Sequence, residues 1–361
     1  MGDTRTEDDV LAAIERRRRR PHFKLMDEHI TLSHGAGGKA SRALLEALIV
    51  RELGNPVLAP LGDHAQLPPA GDLPLALTTD ASVVAPIFFP GGDIGELAVN
   101  GAVNDLAMGG ARPLYLSTSL ILEEGLAVAD LRRVVQSMAA AARAAGVVIA
   151  AGDTKVVERG KADGLYITTT GVGVIEHGRR LGPAQIRPGD RVLLSGTVGD
   201  HGMAIMLARG GLELEAALES DTAPLHELAQ LLLTASEHVR CMRDPTRGGV
   251  ATVLNELALA AEVAIVLDEL SVPVRPEVTG ACELLGIDPL YVANEGKLIA
   301  IVAPEDEQAA LAALQSHPLG TSAAVVGEVR AEPPGMVVLE TAFGGTRVVD
   351  MLAGDPLPRI C

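Results

Sequence analysis

The stretch that decides the fold is TTDASVVAPIFFPGGDIGELAVNGAVNDLAMGGARPLYLS, which runs from Thr78 to Ser117. Its first residues close an apolar run, LPLALTTDASVV, that predicts a buried strand ending near Asp80. GELAVNGAVNDLAMGG predicts a helix, because small residues on its faces suit close packing and the final two glycines stop it. PLYLSTSLIL predicts a second strand. The stretch therefore predicts a strand, a tightly packed helix and another strand in succession.

Strand and helix patterns continue to alternate outside this stretch. LAVADLRRVVQSMAAAARAAG predicts a long amphipathic helix, and VVIAAGDTKVV and GLYITTTGVGVI predict strands. The turn-rich segment RRLGPAQIRPGD then indicates a domain junction near residue 178, after which the alternation resumes. We predict an α/β (α+β) protein with a disordered extension at 1–28, domains at 29–177 and 178–349, and a flexible tail at 350–361.

The composition limits the possible ligands. The net charge is −17 and aromatic residues make up 2% of the chain. The protein therefore lacks the positive field and the stacking platforms that favour nucleic acid or anionic lipid. A nucleotide would need local help from magnesium, lysine or backbone amides. No apolar run approaches the roughly 18 residues of a membrane span. We expect neither nucleic-acid nor membrane binding.

The three cysteines are Cys241, Cys282 and Cys361, and the last of them ends the chain. This odd, sparse set without a C-x-x-C pair argues against disulfides or zinc and predicts a cytoplasmic protein. Cys241 and Cys282 lie in or beside apolar elements, so we expect them to be buried. A terminal residue is usually solvated, which suits a thiol that has to travel better than a structural one.

Four carboxylates in the first half lie at ends of apolar segments: Asp63, Asp80, Asp105 and Asp153. Mg²⁺ prefers hard oxygen ligands and commonly joins carboxylates to phosphates, so a converging set would suit Mg–ATP. Each carboxylate alone is better explained as a cap of a helix or turn. As a set they favour a nucleotide site.

Three further segments offer groups for phosphate chemistry, each with an ordinary alternative. HGAGGK lacks the first glycine of a Walker loop, yet it presents amides and Lys39 to a phosphate, or is simply a linker. Alternation places Lys155 on the same side as Asp153, either as a cation for phosphoryl transfer or as a surface ion pair. Thr246 precedes two glycines at a predicted helix start, which favours an anion.

The sequence pattern alone does not assign a role to Glu295 or to three of the histidines. Glu295, in ANEGKL, precedes a predicted strand and is either a functional carboxylate or a turn residue. His34, His201 and His238 show no metal-ligand spacing, so we expect ordinary roles for them.

The chain resembles the carbamoyl dehydratase (HypE) family of hydrogenase maturation proteins in SHGAGGK, the opening stretch, GDTKVVERGKADGLYITTTGVG, DPTRGGVA, NEGKL and the terminal PRIC. That family lies within the superfamily of aminoimidazole ribonucleotide synthetase and selenophosphate synthetase. The likeness runs from about Ile30 to Cys361, and the terminal cysteine distinguishes this family from its relatives. It implies a two-domain aminoimidazole ribonucleotide synthetase-like fold. Residues 29–177 would form the ATP-binding domain and a β-barrel across a homodimer, with ATP between the two domains.

The resemblance also implies a reaction. The carbamoyltransferase HypF loads a carbamoyl group onto the sulfur of Cys361. ATP with Mg²⁺ phosphorylates the carbamoyl oxygen, and loss of phosphate with a proton from nitrogen leaves a thiocyanate. The cyanide then passes to iron on a HypC–HypD complex, for the active site of [NiFe] hydrogenase. Pro356 and Pro358 would keep the carrier tail extended.

Individual roles follow from the same resemblance. Cys361 is implied to be the carrier, Glu295 the proton acceptor from nitrogen, and Lys155 a neighbour of the thiocarboxamide. The implied magnesium ligands are Asp63, Asp80, Asp105 and Asp153. The nucleotide is implied to contact these four together with Lys39, Asn104, Thr154 and Thr246. LGDHAQL departs from the family pattern, since it has His64 and Gln66 where small or apolar residues are usual.

Two rival functions compete with this one: the first is another enzyme of the superfamily, and the second is of a different class. The first is another superfamily member, such as a selenophosphate synthetase or a small-molecule kinase. The selenium enzymes need a reactive cysteine or selenocysteine in the glycine-rich loop, and HGAGGK has none, which argues against a selenophosphate synthetase. A non-catalytic scaffold with a docking tail would bind no ATP, with or without Mg²⁺.

Overall fold

The computed structural model describes residues 38–44, 46–47, 65–67, 72–176, 178–210, 217–352, 354, 357 and 359–361. They fall in two compact units, Met1–Leu61 with Leu352–Pro358, and Gly62–Met351 with Arg359–Cys361. The predictions for residues 1–28 and for Asp63 lie outside the described residues. In the first unit, helix α1 (Lys39–Leu44) begins where the Lys39 amide donates to the Leu352 carbonyl (2.8 Å).

The first sheet of the second unit contains the two strands of the opening stretch. Its strands are β1 (Ala65–Leu67), β2 (Leu75–Ser82), β5 (Ala111–Glu123), β6 (Val148–Val157) and β7 (Leu165–Ile175). Their order is β1-β2-β7-β5-β6, and only the β5–β6 pair is parallel. A separate ribbon joins β3 (Phe88–Phe89) and β4 (Gly92–Asp93).

Helix α2 (Ile94–Met108) packs closely on this sheet, as its small residues predict. Asp93 caps it, since its Oδ1 accepts from the amides of Gly95 (2.7 Å) and Glu96 (3.2 Å). The helix packs against β2, β7 and α3 (Val128–Ala144). A Cβ placed on Gly101 would lie 2.6 Å from Oδ2 of Asp80. The absence of that side chain lets the Asp80 carboxylate approach the helix.

Two strand ends differ from the predictions. The strand expected to end near Asp80 continues to Ser82, because β7 pairs with it as far as Ile167. Asp153 also lies inside β6, which pairs with β5 as far as Val157. Both aspartates are therefore strand residues.

The second sheet has seven strands in the order β14-β13-β10-β12-β8-β11-β9. They are β8 (Arg191–Leu194), β9 (Val239–Arg243), β10 (Ala264–Asp268), β11 (Ile299–Val302), β12 (Ala324–Arg330), β13 (Met336–Glu340) and β14 (Thr346–Val348). Only β10 and β13 pair in parallel. The sequence patterns missed β9 and β14.

Five further helices belong to this half of the second unit. They are α4 (Asp200–Ala208), α5 (His226–Ala235), α6 (Gly249–Ala261), α7 (Pro276–Leu285) and α8 (Glu307–Gln315). One core lies between α6 and the sheet, and another holds residues of α5 and α8. Ala107 and Met108 of α2 pack into that second core beside Leu193. The domain junction near residue 178 stays a prediction.

Cys241 and Cys282 are buried, as predicted. In the part of the chain that the structure describes, no helix has both the length and the apolar character needed to cross a bilayer.

Candidate functional site

Asn294 fixes the start of the NEGKL segment. Its fully buried amide donates to the carbonyls of Pro245 and Val292 (3.0 Å each), and its Oδ1 accepts from the Gly199 amide (2.7 Å). Because a buried side-chain amide is costly to leave unpaired, these bonds lock the segment to the turn before α6 and to the start of α4. They define the position of Glu295.

Asn104 of α2 holds the same residue from the other side. Its Nδ2 donates to the carbonyls of Ala223 and Glu295 (3.1 Å each), and its Oδ1 accepts from the Leu225 amide (2.7 Å). These contacts give Asn104 a positioning role. The nucleotide contact predicted for Asn104 stays a prediction.

The thiol of Cys361 lies beside the side chain of Glu295, which contributes, after burial, to the raised pKa of that thiol. Glu295 is only 5% exposed, and among the described residues its Oε1 has no hydrogen-bond partner. Burial, together with the negative charges of Asp80, Asp244 and Asp221, raises the pKa of Glu295 well above its usual value. The structure thus places a buried carboxyl, with one oxygen unpaired among the described residues, beside the terminal sulfur.

The electrostatic surroundings keep the thiol of Cys361 neutral. Burial raises the pKa of this thiol, and the charges of Glu295 and Asp80 raise it further, whereas Arg247 lowers it. The pKa of the Arg247 guanidinium is raised, chiefly because Arg247 lies close to Cys361 and further by the charge of Asp80. Arg247, in DPTRGG, is a site residue that the sequence predictions did not single out.

A buried ion pair supports the backbone of Glu295. Asp221 accepts from Nζ of Lys297 through Oδ2 and from the Glu295 amide through Oδ1 (3.0 Å each). Burial alone would raise the pKa of Asp221, but the charge of Lys297 and the hydrogen bond from the Glu295 amide lower it below its usual value. The pair therefore satisfies two buried charges and fixes the segment further.

The last three residues lie alongside residues 83–85, in the opposite direction. The Val83 amide donates to the carbonyl of Cys361 (3.1 Å), and the Ala85 amide donates to the carbonyl of Arg359 (3.3 Å). This short pairing places the terminal residue against Glu295.

His201 contacts the tail between these two bonds. Its Nε2 lies 2.9 Å from the Ile360 carbonyl and its Nδ1 lies 2.7 Å from Oγ of Ser220. Because a carbonyl only accepts, Nε2 carries the proton and Nδ1 accepts from the serine. Burial lowers the pKa of His201, which favours this neutral ring. The sequence analysis predicted an ordinary role for His201 and did not predict this contact, because no spacing of residues in the sequence indicates it.

Asp80 and Asp105 come together between β2 and α2. Oγ1 of Thr78 donates to Oδ2 of Asp105 (2.6 Å), and Asp80 lies two residues farther along the same strand, on the same face. Asp80 also approaches Gly101, one turn before Asp105. Among the described residues no three His, Cys, Asp or Glu residues form a group suited to a metal ion. Two carboxylates still match Mg²⁺, which usually binds one or two of them plus substrate phosphates.

Asp153, Thr154 and Lys155 lie on the exposed edge strand β6. Nζ of Lys155 is 2.9 Å from Oδ2 of Asp153, and the Thr154 amide donates to Oδ1 (2.8 Å). The hydrogen bond from Lys155, followed by that from the Thr154 amide, lowers the pKa of Asp153. Lys155 and Asp153 do share a side of the strand, as predicted, and their side chains are 68% and 62% exposed.

The remaining predicted residues lie elsewhere. Thr246 precedes α6, which begins at Gly249 with Gly248 and Gly249 in the left-handed region, so the predicted helix start is confirmed. Lys39 belongs to the first compact unit, and Asp63 lies outside the described residues. The nucleotide contacts of Thr246 and Lys39 stay predictions.

Comparisons with known proteins identify similar chains. Residues 62–175 match the family described as AIR synthase related protein, N-terminal domain, and residues 187–340 match its C-terminal domain. The carbamoyl dehydratase HypE of Cupriavidus necator is 54% identical over 332 residues, covering 92% of this chain and 95% of that protein.

Two solved structures are also similar. A HypE–HypF complex contains a chain that is 45% identical, with a TM-score of 0.81, covering 86% of this chain and 100% of that one. HypE in complex with ATP is 49% identical, with a TM-score of 0.78, covering 92% of this chain and 100% of that one.

Replacing Glu295 by glutamine should make the free energy of unfolding less dependent on pH. The folded-state pKa of Glu295 is raised above its unfolded value, so stability is full below the unfolded pKa and falls as pH rises through the folded one. Glutamine has no proton to lose. The increase in the free energy of unfolding of Glu295→Gln over wild type, measured by urea unfolding, should therefore be larger at about pH 8 than at about pH 5.

The control is Glu283→Gln, because Glu283 is exposed on α7. It should differ from wild type by a similar small amount at both pH values. A gain for Glu295→Gln that does not grow with pH would contradict a buried, proton-binding carboxyl.

Proposed function

Because the chain belongs to the carbamoyl dehydratase HypE family of AIR synthase related proteins, we propose that its reaction takes place where the Cys361 thiol meets the Glu295 carboxyl. The protein is an ATP-dependent carbamoyl dehydratase. It converts an S-carbamoyl group on its own terminal cysteine into a thiocyanate, which supplies cyanide for the iron of [NiFe] hydrogenase. The observation that carries the residue assignment is the unpaired, buried Oε1 of Glu295 beside that sulfur.

Glu295 acts as the proton acceptor in this proposal. A carbamoyl nitrogen must give up two protons on the way to a nitrile, and a carboxylate with a raised pKa accepts a proton more readily. Asn104 donates to the backbone carbonyl of Glu295, and the neighbouring Asn294 is bound to Gly199, so the backbone that carries the carboxyl is fixed. Lys155 is proposed as a second group near the thiocarboxamide.

The carbamoyl oxygen needs activation before it can leave. Phosphorylation by ATP converts a poor leaving group into a good one, which accounts for the nucleotide requirement. Asp80 and Asp105 would hold Mg²⁺, which neutralises charge on the phosphates of ATP. Asp63, Asp153, Thr154, Lys39, Asn104 and Thr246 remain proposed contacts of the metal or nucleotide.

The docked tail is a poor substrate for loading. Burial and the Glu295 charge disfavour the thiolate of Cys361, and the thiolate is the nucleophilic form. We therefore propose that HypF loads the cysteine while the tail is undocked, and that docking follows loading. The same tail would deliver cyanide to a HypC–HypD complex in the cytoplasm.

The edge strand β6 supports a homodimer. Nearly all residues of β6 are exposed. Val148 and Val156 of this strand are 57% and 67% exposed, and Tyr115 of the neighbouring β5 is 53% exposed. An unpaired edge of this kind invites pairing with a second chain. We propose that two copies join there to form the β-barrel, which would cover Asp153 and Lys155.

Replacing Cys361 by alanine should abolish thiocyanate formation while ATP binding persists, because the carrier sulfur is lost and the nucleotide site is not. Nitrile absorption in the infrared and titration calorimetry with ATP measure the two properties. Cys282→Ala serves as the control and should keep both. Formation of thiocyanate by Cys361→Ala would overturn the assignment. A rate of ATP turnover that is the same in Cys361→Ala as in wild type would favour a small-molecule kinase.

Glu295→Gln should bind ATP but form thiocyanate at least about a hundredfold more slowly, the usual loss when a general base is removed. Rapid-quench measurement of phosphate release and infrared detection of nitrile follow the two halves of the reaction. Wild-type nitrile formation would remove the proposed role of Glu295.

Val156→Lys should shift the protein toward the monomer in sedimentation velocity, because two buried lysines would repel at a paired edge. Val128→Lys is the matched control, since Val128 is 71% exposed on α3. An unchanged dimer in Val156→Lys would place the interface elsewhere.

A further inference from the structure

We propose that the turn between β13 and β14, together with the neighbouring Leu270, is the surface that holds the carbamoyltransferase HypF while the terminal cysteine is loaded. The side chains of Leu270, Phe343 and Val348 are called the hairpin surface below. The inference deepens the proposed function and rests on it, because HypF is the loading enzyme only in that proposal.

The hairpin surface exposes apolar side chains that a folded chain usually covers. Phe343 is 100% exposed, Leu270 is 77% exposed and Val348 is 54% exposed. The chain has only four phenylalanines and no tryptophan, so one of its few large aromatic residues lies entirely in water. A single exposed apolar residue needs no explanation, but a group that includes an aromatic ring indicates a contact surface between proteins.

The tip of the hairpin is held by its own hydrogen bonds. The Thr341 amide donates to the Gly345 carbonyl (2.8 Å), and the Gly344 amide donates to the Thr341 carbonyl (2.9 Å). Gly344 has a φ of 80°, a conformation that glycine adopts without strain. The backbone of Phe343 is therefore preorganised, which lowers the entropy cost of binding a partner.

A side-chain hydrogen bond joins this tip to the segment that carries Leu270. Oε2 of Glu269 accepts from the Ala342 amide (2.8 Å), so the residues that follow these two, Leu270 and Phe343, lie at the same end of the second sheet. Oδ1 of Asp268 accepts from the Leu270 amide (3.1 Å) and fixes that segment. The two most exposed side chains thus belong to one preformed surface.

The charges around the hairpin surface indicate the chemistry of its partner. Asp268 and Glu269 are exposed carboxylates beside Leu270. Arg347, the cation on β14, is paired with Asp288. Because opposite charges across an interface speed association, we expect the contact face of HypF to be an apolar pocket with lysine or arginine at its rim.

The tail begins close to this surface. β14 ends at Val348, and the next residue, Val349, is fully buried. Nδ2 of Asn255 donates to the Val349 carbonyl (2.8 Å), and Oη of Tyr291 donates to the Asp350 carbonyl (2.8 Å). The tail therefore leaves the second sheet from a fixed root, separated from the hairpin turn by a strand of only about 10 Å.

This position meets the requirement of loading. The structure shows the unmodified Cys361 docked beside Glu295, so an undocked tail returns there unless another protein captures it first. A protein bound at the hairpin surface meets the segment 352–361 at high effective concentration, because that segment spans at most about 35 Å when extended. HypF acts on the unmodified cysteine, whereas delivery of cyanide follows docking, so we assign the surface to HypF.

Calorimetric titration of the full chain with HypF, without ATP or carbamoyl donor, compares wild type with Phe343→Ser. We expect the Kd of Phe343→Ser to rise at least about tenfold, as for loss of an aromatic side chain at the centre of an interface. Val128→Ser is the matched control, since Val128 is 71% exposed on α3, and it should bind HypF like wild type. Because both side chains are exposed, the urea midpoints of both variants should stay close to that of wild type.

Two further variants separate the effect of the ring from that of the charge. Phe343→Tyr keeps an aromatic ring and should bind HypF within about threefold of wild type. Glu269→Gln keeps an acceptor for the Ala342 amide but loses the negative charge, so it should slow association and reduce its dependence on salt.

Loading kinetics give a readout that a merely structural role would not change. The rate of Cys361 carbamoylation is followed by mass spectrometry at increasing HypF concentration with the carbamoyl donor present. In Phe343→Ser the HypF concentration for half-maximal rate should rise about tenfold while the maximal rate is unchanged, because the surface holds HypF without touching the reacting sulfur.

Equal affinity of wild type and Phe343→Ser for HypF would overturn the inference. Weaker binding of a HypC–HypD complex, or a shift toward the monomer, in a variant with unchanged HypF affinity would assign the surface to that complex or to a second copy instead. Weaker HypF binding by Phe343→Ser, with no carbamoylation of Cys361 in wild type, would support the surface and overturn only the proposed function.

Discussion

The structure depends on one unfavourable placement, a carboxyl group buried beside a terminal thiol and close to other carboxylates. Glu295 would relax toward solvent if its backbone were free. Asn104 and Asp221 prevent this by binding the backbone carbonyl and amide of Glu295, and Asn294 ties the segment to Pro245. The fold therefore uses buried hydrogen bonds to keep this carboxyl desolvated, and titratable groups with shifted pKa values are common at functional sites.

In the proposed cycle, docking and loading place opposite demands on Cys361. In the docked state the sulfur lies against a carboxyl whose raised pKa suits proton removal, and the same surroundings disfavour the thiolate. A carrier that alternates between two environments resolves this conflict. Among the described residues, hydrogen bonds hold residues 359–361 mostly through their backbone carbonyls, and these bonds break without unfolding of either sheet.

The sequence predicted the elements of this site better than their arrangement. The small residues of α2 predicted the helix, and the two glycines after it predicted its end, because a closely packed helix needs small residues that are visible in the sequence. The pairing of Asp80 with Asp105 depends on Gly101 and on sheet register, which no local pattern reveals. His201 escaped notice because its partner is a backbone carbonyl 159 residues away. The terminal cysteine was identifiable since its position alone is unusual.

The most direct test of the account is the mass of the C-terminal peptide of the HypF-loaded protein before and after ATP is added. We expect the carbamoylated Cys361 peptide to lose the mass of one water in wild type and to keep its carbamoyl mass in Glu295→Gln. Loss of water at the same rate in both proteins, or on a residue other than Cys361, would contradict a dehydration carried out between this thiol and this carboxyl.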